Sequence, residues 1–341
     1  MRFAVTKTGH VLFAGGSGVV GQPALRWFRD RFPHTPVLIG GRNLQAADEL
    51  ARRTGAAQAV AISLDKPGLG LPEGLEVAAV VMLLPDLGLH GLRYAQDKGV
   101  PYLSISNGLI EVGPEMALFA HRATAAPVVL ASHWLAGAAV FLALSRAERF
   151  DRVESIRVQA LIDEADAVGP SALEDMARLD GAGSAVLAFR NGQRTWLSGD
   201  ATKGEMQTID GRRLGTHAYS PFDVVSLYAH TSAPNIQFEL ATGASSSRLR
   251  GGGTSTEIVV EIDGSVQDQP LSIRSVLEFP QGQASLTGLS VVLALASALG
   301  LDGQPAAAAG LYLPELLPGA NTFLDHISHA GAIISDRTGR A

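Results

Sequence analysis

The residue types that could do chemistry gather first in AGGSGVVGQPALRWF, residues 14–28. Gly15, Gly16, Gly18 and Gly21 surround Ser17, Val19 and Val20, behind the apolar run VLFA and ahead of PALRWF, which opens as a helix. Glycine at 16 permits a tight turn, at 18 it lets backbone approach a pyrophosphate, and at 21 it lets the helix pack closely on the strand. The helix N-terminus then offers free N–H groups and the positive end of its dipole to phosphates. Strand, glycine loop and helix in this order predict a dinucleotide site rather than a mere turn.

The next polar contact is expected after the second strand, in VLIGGRN. NAD sites usually place Asp or Glu there for the ribose hydroxyls. Here Gly40 and Gly41 are followed by Arg42 and Asn43, so no carboxylate repels a 2′-phosphate and Arg42 can pair with it. NADP is therefore the expected cofactor. Alternatively, Arg42 is a solvated loop residue and Asn43 merely caps the helix LQAADELARRTG. Asp65 is placed for the adenine amino group or for a plain turn. Leu84 and Pro85, in MLLPD, are expected beside the nicotinamide half, unless Pro85 only ends its strand.

Moving hydride to a polar bond also needs a proton, and a group titrating near neutrality suits that task. His133 follows a buried strand at the carboxyl edge where open sheets bind ligands, and Trp134 could wall the pocket. It is the first catalytic candidate, the alternative being a hydrogen-bonded structural histidine. GTHAYSPFDVVSLYAH collects His217, Tyr219, Asp223, Tyr228 and His230. Tyr219 is the second candidate, against a hinge at Ser220–Pro221 followed by a helix. Asp86 is the third, against a helix N-cap. Arg213, Arg248 and Arg250 could clamp an acidic substrate. Tyr94 and Lys98 have YxxxK spacing but lie on too early a helix. His326 and His329 lack a third clustered ligand, so no metal is expected.

These residues need a scaffold. HVLFAG, PVLIGG, AVAIS, AAVVMLL, PYLSI and PVVLAS read as strands, with helices starting near Pro23, Leu44, Leu89 and Pro114. Alternation with helices implies parallel pairing, and runs apolar at successive positions fit strands covered on both faces. After residue 150 the texture changes. VESIRVQALID, IQFELATG, TEIVVEIDG and LSIRSVLEF have period-two character, and FRNGQRTWL forms a hairpin turning at Asn191–Gly192. SSSRLRGGGTST reads as a flexible connection, followed by helices in ASLTGLSVVLALASALG and PELLPGANTFLDHI. The expected fold class is α/β: an N-terminal Rossmann doubly wound parallel sheet plus a second α+β domain with a largely antiparallel sheet. Residues 1–135 form the dinucleotide-binding domain, completed by C-terminal helices in 283–341, and 136–282 the substrate-binding and dimerisation domain.

The bulk properties agree. The chain has 341 residues, 46% hydrophobic and 18% charged, enough to bury a sizeable core. A net charge of −6 without a basic stripe argues against nucleic acid. The absence of cysteine excludes disulfides and thiolate sites and fits a cytoplasmic protein. No signal peptide is evident in MRFAVTKTGHVLFAGG, and no membrane partner is expected. TAAPVVLASHWLAGAAVFLAL reads as a buried strand followed by a buried helix.

GGSGVVG, GGRN, LARRTG, VVMLLPD, YAQDKGVPYLSISNG and APVVLASHWLAGA together resemble the saccharopine dehydrogenase-like oxidoreductases, most strongly over the first 145 residues. The resemblance implies a Rossmann domain, a second domain supplying the substrate pocket and dimer contacts, and hydride transfer at a carbon–nitrogen bond. A small-molecule amino acid or imine substrate and a homodimer follow as expectations. Two departures stand out. The family's acidic residue after "YV" is Ser104 here, and the glycine-rich crossover segment reads His133-Trp134-Leu135-Ala136-Gly137. The alternatives are a carbonyl or C=C reductase on the same cofactor, and a redox sensor that binds dinucleotide without turnover.

Overall fold

The structure, a computed structural model, describes residues 9–105, 108–109, 111–169 and 185–339. Residues 1–8 of the opening run and Ser106–Asn107 of YLSISNG lie outside them. The chain forms two compact units: 1–132, 168–176 and 287–318, and 133–167, 177–286 and 319–341.

The first part of the chain alternates strands and helices. It runs β1 His10–Ala14, α1 Gly21–Arg31, β2 Val37–Gly41, α2 Leu44–Thr54, β3 Ala57–Ala61, β4 Val77–Met82, α3 His90–Lys98, β5 Tyr102–Ser104, α4 Val112–Ala120 and β6 Pro127–Leu130. Local chemistry sets several ends. Asn43 caps α2 by accepting the Ala46 N–H at 3.1 Å, and Gly55, at positive φ (69°), ends it. After α5 Ala138–Ala147 come β7 Arg152–Asp163, β8 Val186–Arg190, β9 Gln193–Leu197, β10 Lys203–Gln207 and β11 Arg213–Tyr219. Then follow α6 Asp223–Thr231, β12 Asn235–Gly243, β13 Thr256–Val266, β14 Gln269–Phe279, α7 Gly282–Leu299, β15 Gly310–Tyr312, α8 Ala320–His329 and β16 Ile333–Gly339.

The first unit holds a wholly parallel sheet in the order β15-β6-β5-β4-β1-β2-β3. Strand order reverses between β1 and β4, which opens a crevice at their carboxyl ends. Phe13, Leu12, Ile39 and Val81 are buried, as doubly covered strands require. α7 approaches α1 at Gly288, where a Cβ would stand 2.7 Å from the Ala24 nitrogen.

The second unit holds a largely antiparallel sheet, β10-β11-β12-β7-β13-β14-β16, with β8 pairing β12, β9 pairing β8, and one parallel pair, β7–β12. Ile156, Val158, Ile258, Val260 and Ile262 bury its inner face, and Phe141 of α5 stacks on Phe323 of α8 at 4.0 Å. Asn191 and Gly192, both at positive φ, make the β8–β9 turn. On the outer face the β10–β11 hairpin lays Met206 and Leu214 against Leu161, Val259 and Val276. Beside it Glu239 accepts hydrogen bonds from Arg157, Gln159, Thr216 and Gln237.

Several segments depart from expectation. GTHAY lies in β11, and β10, β11, β15 and β16 were not foreseen as strands. SSSRLRGGGTST contains a one-turn helix, Ser246–Leu249, with Ser245 capping it. The stretch 283–341 divides between the units, and its last part joins the second because β16 pairs with β14.

Candidate functional site

β1 delivers the chain into the glycine turn. Gly15, at φ 82°, donates its N–H to the Gly40 carbonyl at 2.8 Å, tying the turn to β2. Gly16 donates to Phe13 O and Gly18 to Gly15 O, which closes the loop. A Cβ on Gly21 would stand 2.4 Å from Gly15 O and 2.5 Å from Gly16 O, so only glycine lets α1 start here. A Cβ on Gly18 would meet Gly15 O at 3.1 Å and otherwise open space. Among the described residues, the backbone N–H groups of Ser17, Val19 and Val20 donate to no partner. Three such donors at the start of an eleven-residue helix suit a phosphate. Gln22 braces the turn by donating to Ser17 O at 3.0 Å.

The rest of the crevice rim is equally local. Arg42 is exposed beyond β2 and makes no hydrogen bond or ion pair with a described residue. Gly41 sits beside Ser17, a Cβ there falling 3.6 Å from the hydroxyl oxygen. Asp65 is exposed in the loop after β3. Leu83 donates its N–H to Ala14 O at 2.9 Å, and the Leu84 side chain lies over Gly15, its Cδ2 2.9 Å from where a Cβ would stand. Pro85 is buried behind it. These residues fit a dinucleotide by shape and by donor chemistry.

Asp86 is 2% exposed, and its Oδ2 accepts the N–H groups of Gly91 at 2.9 Å and Leu92 at 3.0 Å. It caps α3, the role weighed against catalysis. Burial pushes its carboxyl pKa up, against the pull of those amides. On α3 the Lys98 ammonium lies over the Tyr94 ring.

In the second unit the structure brings His133, Trp134, Tyr219, Asp223 and Ser226 together. His133 Nε2 lies 2.7 Å from Ser226 Oγ, and Asp223 Oδ2 accepts the Trp134 N–H at 2.7 Å. The Trp134 ring meets Tyr219 and Phe238 edge-on or tilted, with centroids about 6 Å apart. Ser226 was not foreseen; it lies on α6, far from His133 in sequence. Leu135, Ala136 and Gly137 follow in left-handed conformations, a strained backbone of the kind found at functional segments. Burial lowers the His133 pKa to about 3. The imidazole is thus neutral near pH 7, whereas the sequence suggested a group titrating near neutrality.

His133 titrates at its ordinary value near 6.5 when unfolded and at about 3 when folded. The unfolded chain binds the extra proton between those values, so stability falls as pH drops through that window. His133→Asn is expected to flatten the dependence of the urea midpoint on pH there; an unchanged slope would mean a charged imidazole in the fold.

The three arginines considered for a substrate clamp are all engaged. Arg213 pairs with Glu205 at 2.9 Å, Arg248 with Asp163 at 3.1 Å and Glu164 at 2.9 Å, and Arg250 with both oxygens of Glu278. None presents an uncompensated charge.

No family model and no curated protein sequence matches the chain. Among solved structures, the fold is similar to that of apo saccharopine dehydrogenase (L-Glu forming) from Saccharomyces cerevisiae. The TM-score is 0.70 at 13% identity, covering 97% of this chain and 100% of that one. An oxidoreductase domain protein from Kribbella flavida aligns at TM-score 0.49 and 13% identity, covering 97% and 99% of the two chains. Scyllo-inositol dehydrogenase from Lactobacillus casei, solved with NAD(H) and scyllo-inositol, aligns at 0.48 and 11%, covering 95% and 98%. The first likeness establishes a shared two-unit fold with a Rossmann sheet, the architecture the residue-level resemblance implies.

Proposed function

We propose that this chain is an NADP-dependent oxidoreductase that transfers hydride to or from a carbon–nitrogen bond of an amino acid or imine. The observation that carries the reading is the set of free N–H groups at Ser17, Val19 and Val20 beside a carboxylate-free end of β2. When bound, the dinucleotide supplies or accepts the hydride. The turn from Gly15 to Gly21 would hold its pyrophosphate, Arg42 and Asn43 its 2′-phosphate and Asp65 its adenine. Leu84 and Pro85 would flank the nicotinamide. Tyr219 would be the polar contact to substrate, with neutral His133 and Ser226 as a positioning pair. Carbon–nitrogen chemistry is favoured over carbonyl or C=C reduction by the likeness to saccharopine dehydrogenase.

The neutral state of His133 favours one second reading, a sensor that binds dinucleotide without turnover. Calorimetry with NADPH and NADH, followed by a panel of amines and 2-oxo acids, separates the two. Arg42→Ala is expected to weaken NADPH by about 10–100-fold, the worth of a hydrogen bond to a charged group, and to leave NADH unchanged. Equal losses for both would remove Arg42 from the 2′-phosphate. Binding without turnover across the panel would favour the sensor.

A further inference from the structure

Trp134 carries two marks that packing alone does not explain. The first is its indole Nε1–H, which is buried and has no acceptor among the described residues. Native proteins leave few buried donors unpaired, because such a group has lost its water and gained nothing in exchange. Other unpaired donors have an exit. The Ser246 and Thr256 hydroxyls can rotate, and the Arg29 and Arg274 Nε groups belong to guanidiniums that bond through their other nitrogens. An indole N–H is fixed by its ring. The ring is fixed in turn. Its backbone N–H is held by Asp223 Oδ2 at 2.7 Å, and it packs at 75° to Tyr219 and 56° to Phe238.

The second mark is the backbone that follows. Leu135 (φ 51°, ψ 41°) and Ala136 (φ 53°, ψ 36°) are left-handed in succession, where a Cβ crowds the next carbonyl. Both are buried, and neither has a short polar side chain to offset the strain. Elsewhere the chain avoids this combination. The left-handed turn Gly68–Leu69–Gly70 has glycine at two of its three positions. Gln267 and Asp268 are exposed and form the two-residue turn between β13 and β14, where positive φ suits the twist of the strands. Strain of the kind seen at Leu135–Ala136 persists where the surroundings over-determine it, and it gathers at ligand contacts.

An amino or imino acid brings a carboxylate, and Arg213, Arg248 and Arg250 are already paired with acids of the chain. A neutral N–H in an aromatic setting can take that role, because a hydrogen bond to a charged group is strong where little water competes. The ring centroids of Trp134 and Tyr219 are 6.0 Å apart, so a ligand touching the phenol lies within reach of the indole. Contact needs a small rotation of the ring, which the strained turn beside it opposes little.

We propose that the Trp134 indole N–H is the hydrogen-bond donor to the substrate carboxylate and so a specificity-determining contact. This rests on the reading of an amino or imino acid bound against Tyr219, and the experiment separates the two. Isotope-labelled tryptophan gives three indole N–H signals, from Trp27, Trp134 and Trp196, and Trp134→Phe identifies the one that matters by its loss. Pyruvate, 2-oxoglutarate and phenylpyruvate are the probes, added to the intact chain with and without NADP+. At least one is expected to move the Trp134 signal downfield and to bind Trp134→Phe about 10–100-fold more weakly by calorimetry, the worth of a hydrogen bond to a charged group. A Trp134 signal that stays in place with all three overturns the proposal. Trp134→benzothienylalanine keeps the two-ring shape and lacks the N–H. Because that N–H is unpaired at rest, the melting temperature is expected to match or exceed wild type while probe binding weakens as in Trp134→Phe. A lower melting temperature means that the N–H has a partner at rest and overturns the proposal. Turnover on a panel of amines and 2-oxo acids reports on the reaction separately. A moving Trp134 signal without turnover supports the donor and sinks hydride transfer; turnover with a still signal does the reverse.

Discussion

Gly21→Ala is expected to abolish measurable NADPH binding and to lower thermal stability, the largest effect foreseen for a single methyl group in this chain. The added Cβ would fall 2.4–2.6 Å from Gly15 O, Gly16 O and Gly16 C. All three are backbone atoms, which cannot rotate away as a side chain can. Relief requires opening the turn or lifting α1 from β1, at about 1–3 kcal/mol or more. Either movement also disperses the free N–H groups of Ser17, Val19 and Val20. Gly18→Ala is the control. Its Cβ meets only Gly15 O at 3.1 Å, so stability should change by roughly 0.5 kcal/mol or less, while the methyl stands in the path of an approaching phosphate. Paired calorimetry and melting curves check both. Normal NADPH affinity in Gly21→Ala would mean that the turn is not the binding element.

Glu239→Leu is expected to cost about 3 kcal/mol of folding stability, toward the low end for breaking a buried ion pair because Arg157 is partly exposed. The carboxylate is the hub of the outer face of the second sheet. Its Oε1 accepts from Arg157 Nε and Gln237 Nε2, and its Oε2 from Arg157 Nη2, Gln159 Nε2 and Thr216 Oγ1, all within 2.6–2.9 Å. Leucine leaves these donors facing apolar atoms. Burial alone would push the Glu239 carboxyl up, but the hydrogen bonds from Arg157, Thr216 and Gln159 outweigh it and hold the pKa below its ordinary value. The folded state therefore binds this proton less readily than the unfolded chain. The stabilisation is complete above the ordinary carboxylate range and is lost as pH falls through the folded pKa. Urea midpoints measured against pH should show this acid loss in wild type and little of it in Glu239→Leu. A change under about 1 kcal/mol near neutrality would show that the hub is not structural.

What the sequence revealed and what it hid follow from the range of the interactions. The glycine turn was legible because its constraints lie within a dozen residues, and the Asn43 cap and Asn191–Gly192 turn are local in the same way. The doubly covered strands β1, β2, β4, β5 and β6 announced themselves as unbroken apolar runs. β10 and β11, reading KGEMQ and RLGTHAY, did not. They lie at or beside a sheet edge and carry charged and small residues, which blur the period of two. Among side chains, what escaped was the partner. Ser226 is ninety-three residues from His133, and Arg250 meets Glu278 across twenty-eight. A histidine looks the same in sequence whether it faces solvent or a buried serine.

The pairing of β15 with β6 bears on how the chain is made. Gly310 aligns with Pro127, and Gly288 lies against Ala24. A ribosome releases β1 to β6 early, but the open edge of β6 and the seat for α7 on α1 stay bare until residue 312 has emerged. Parallel pairing across so long a stretch is slow to form, and an exposed strand edge invites association with other nascent chains. A gene cut before residue 287 should therefore yield an aggregating fragment rather than a free-standing nucleotide-binding module, and the minimal expressible form of the first unit is nearly the whole polypeptide.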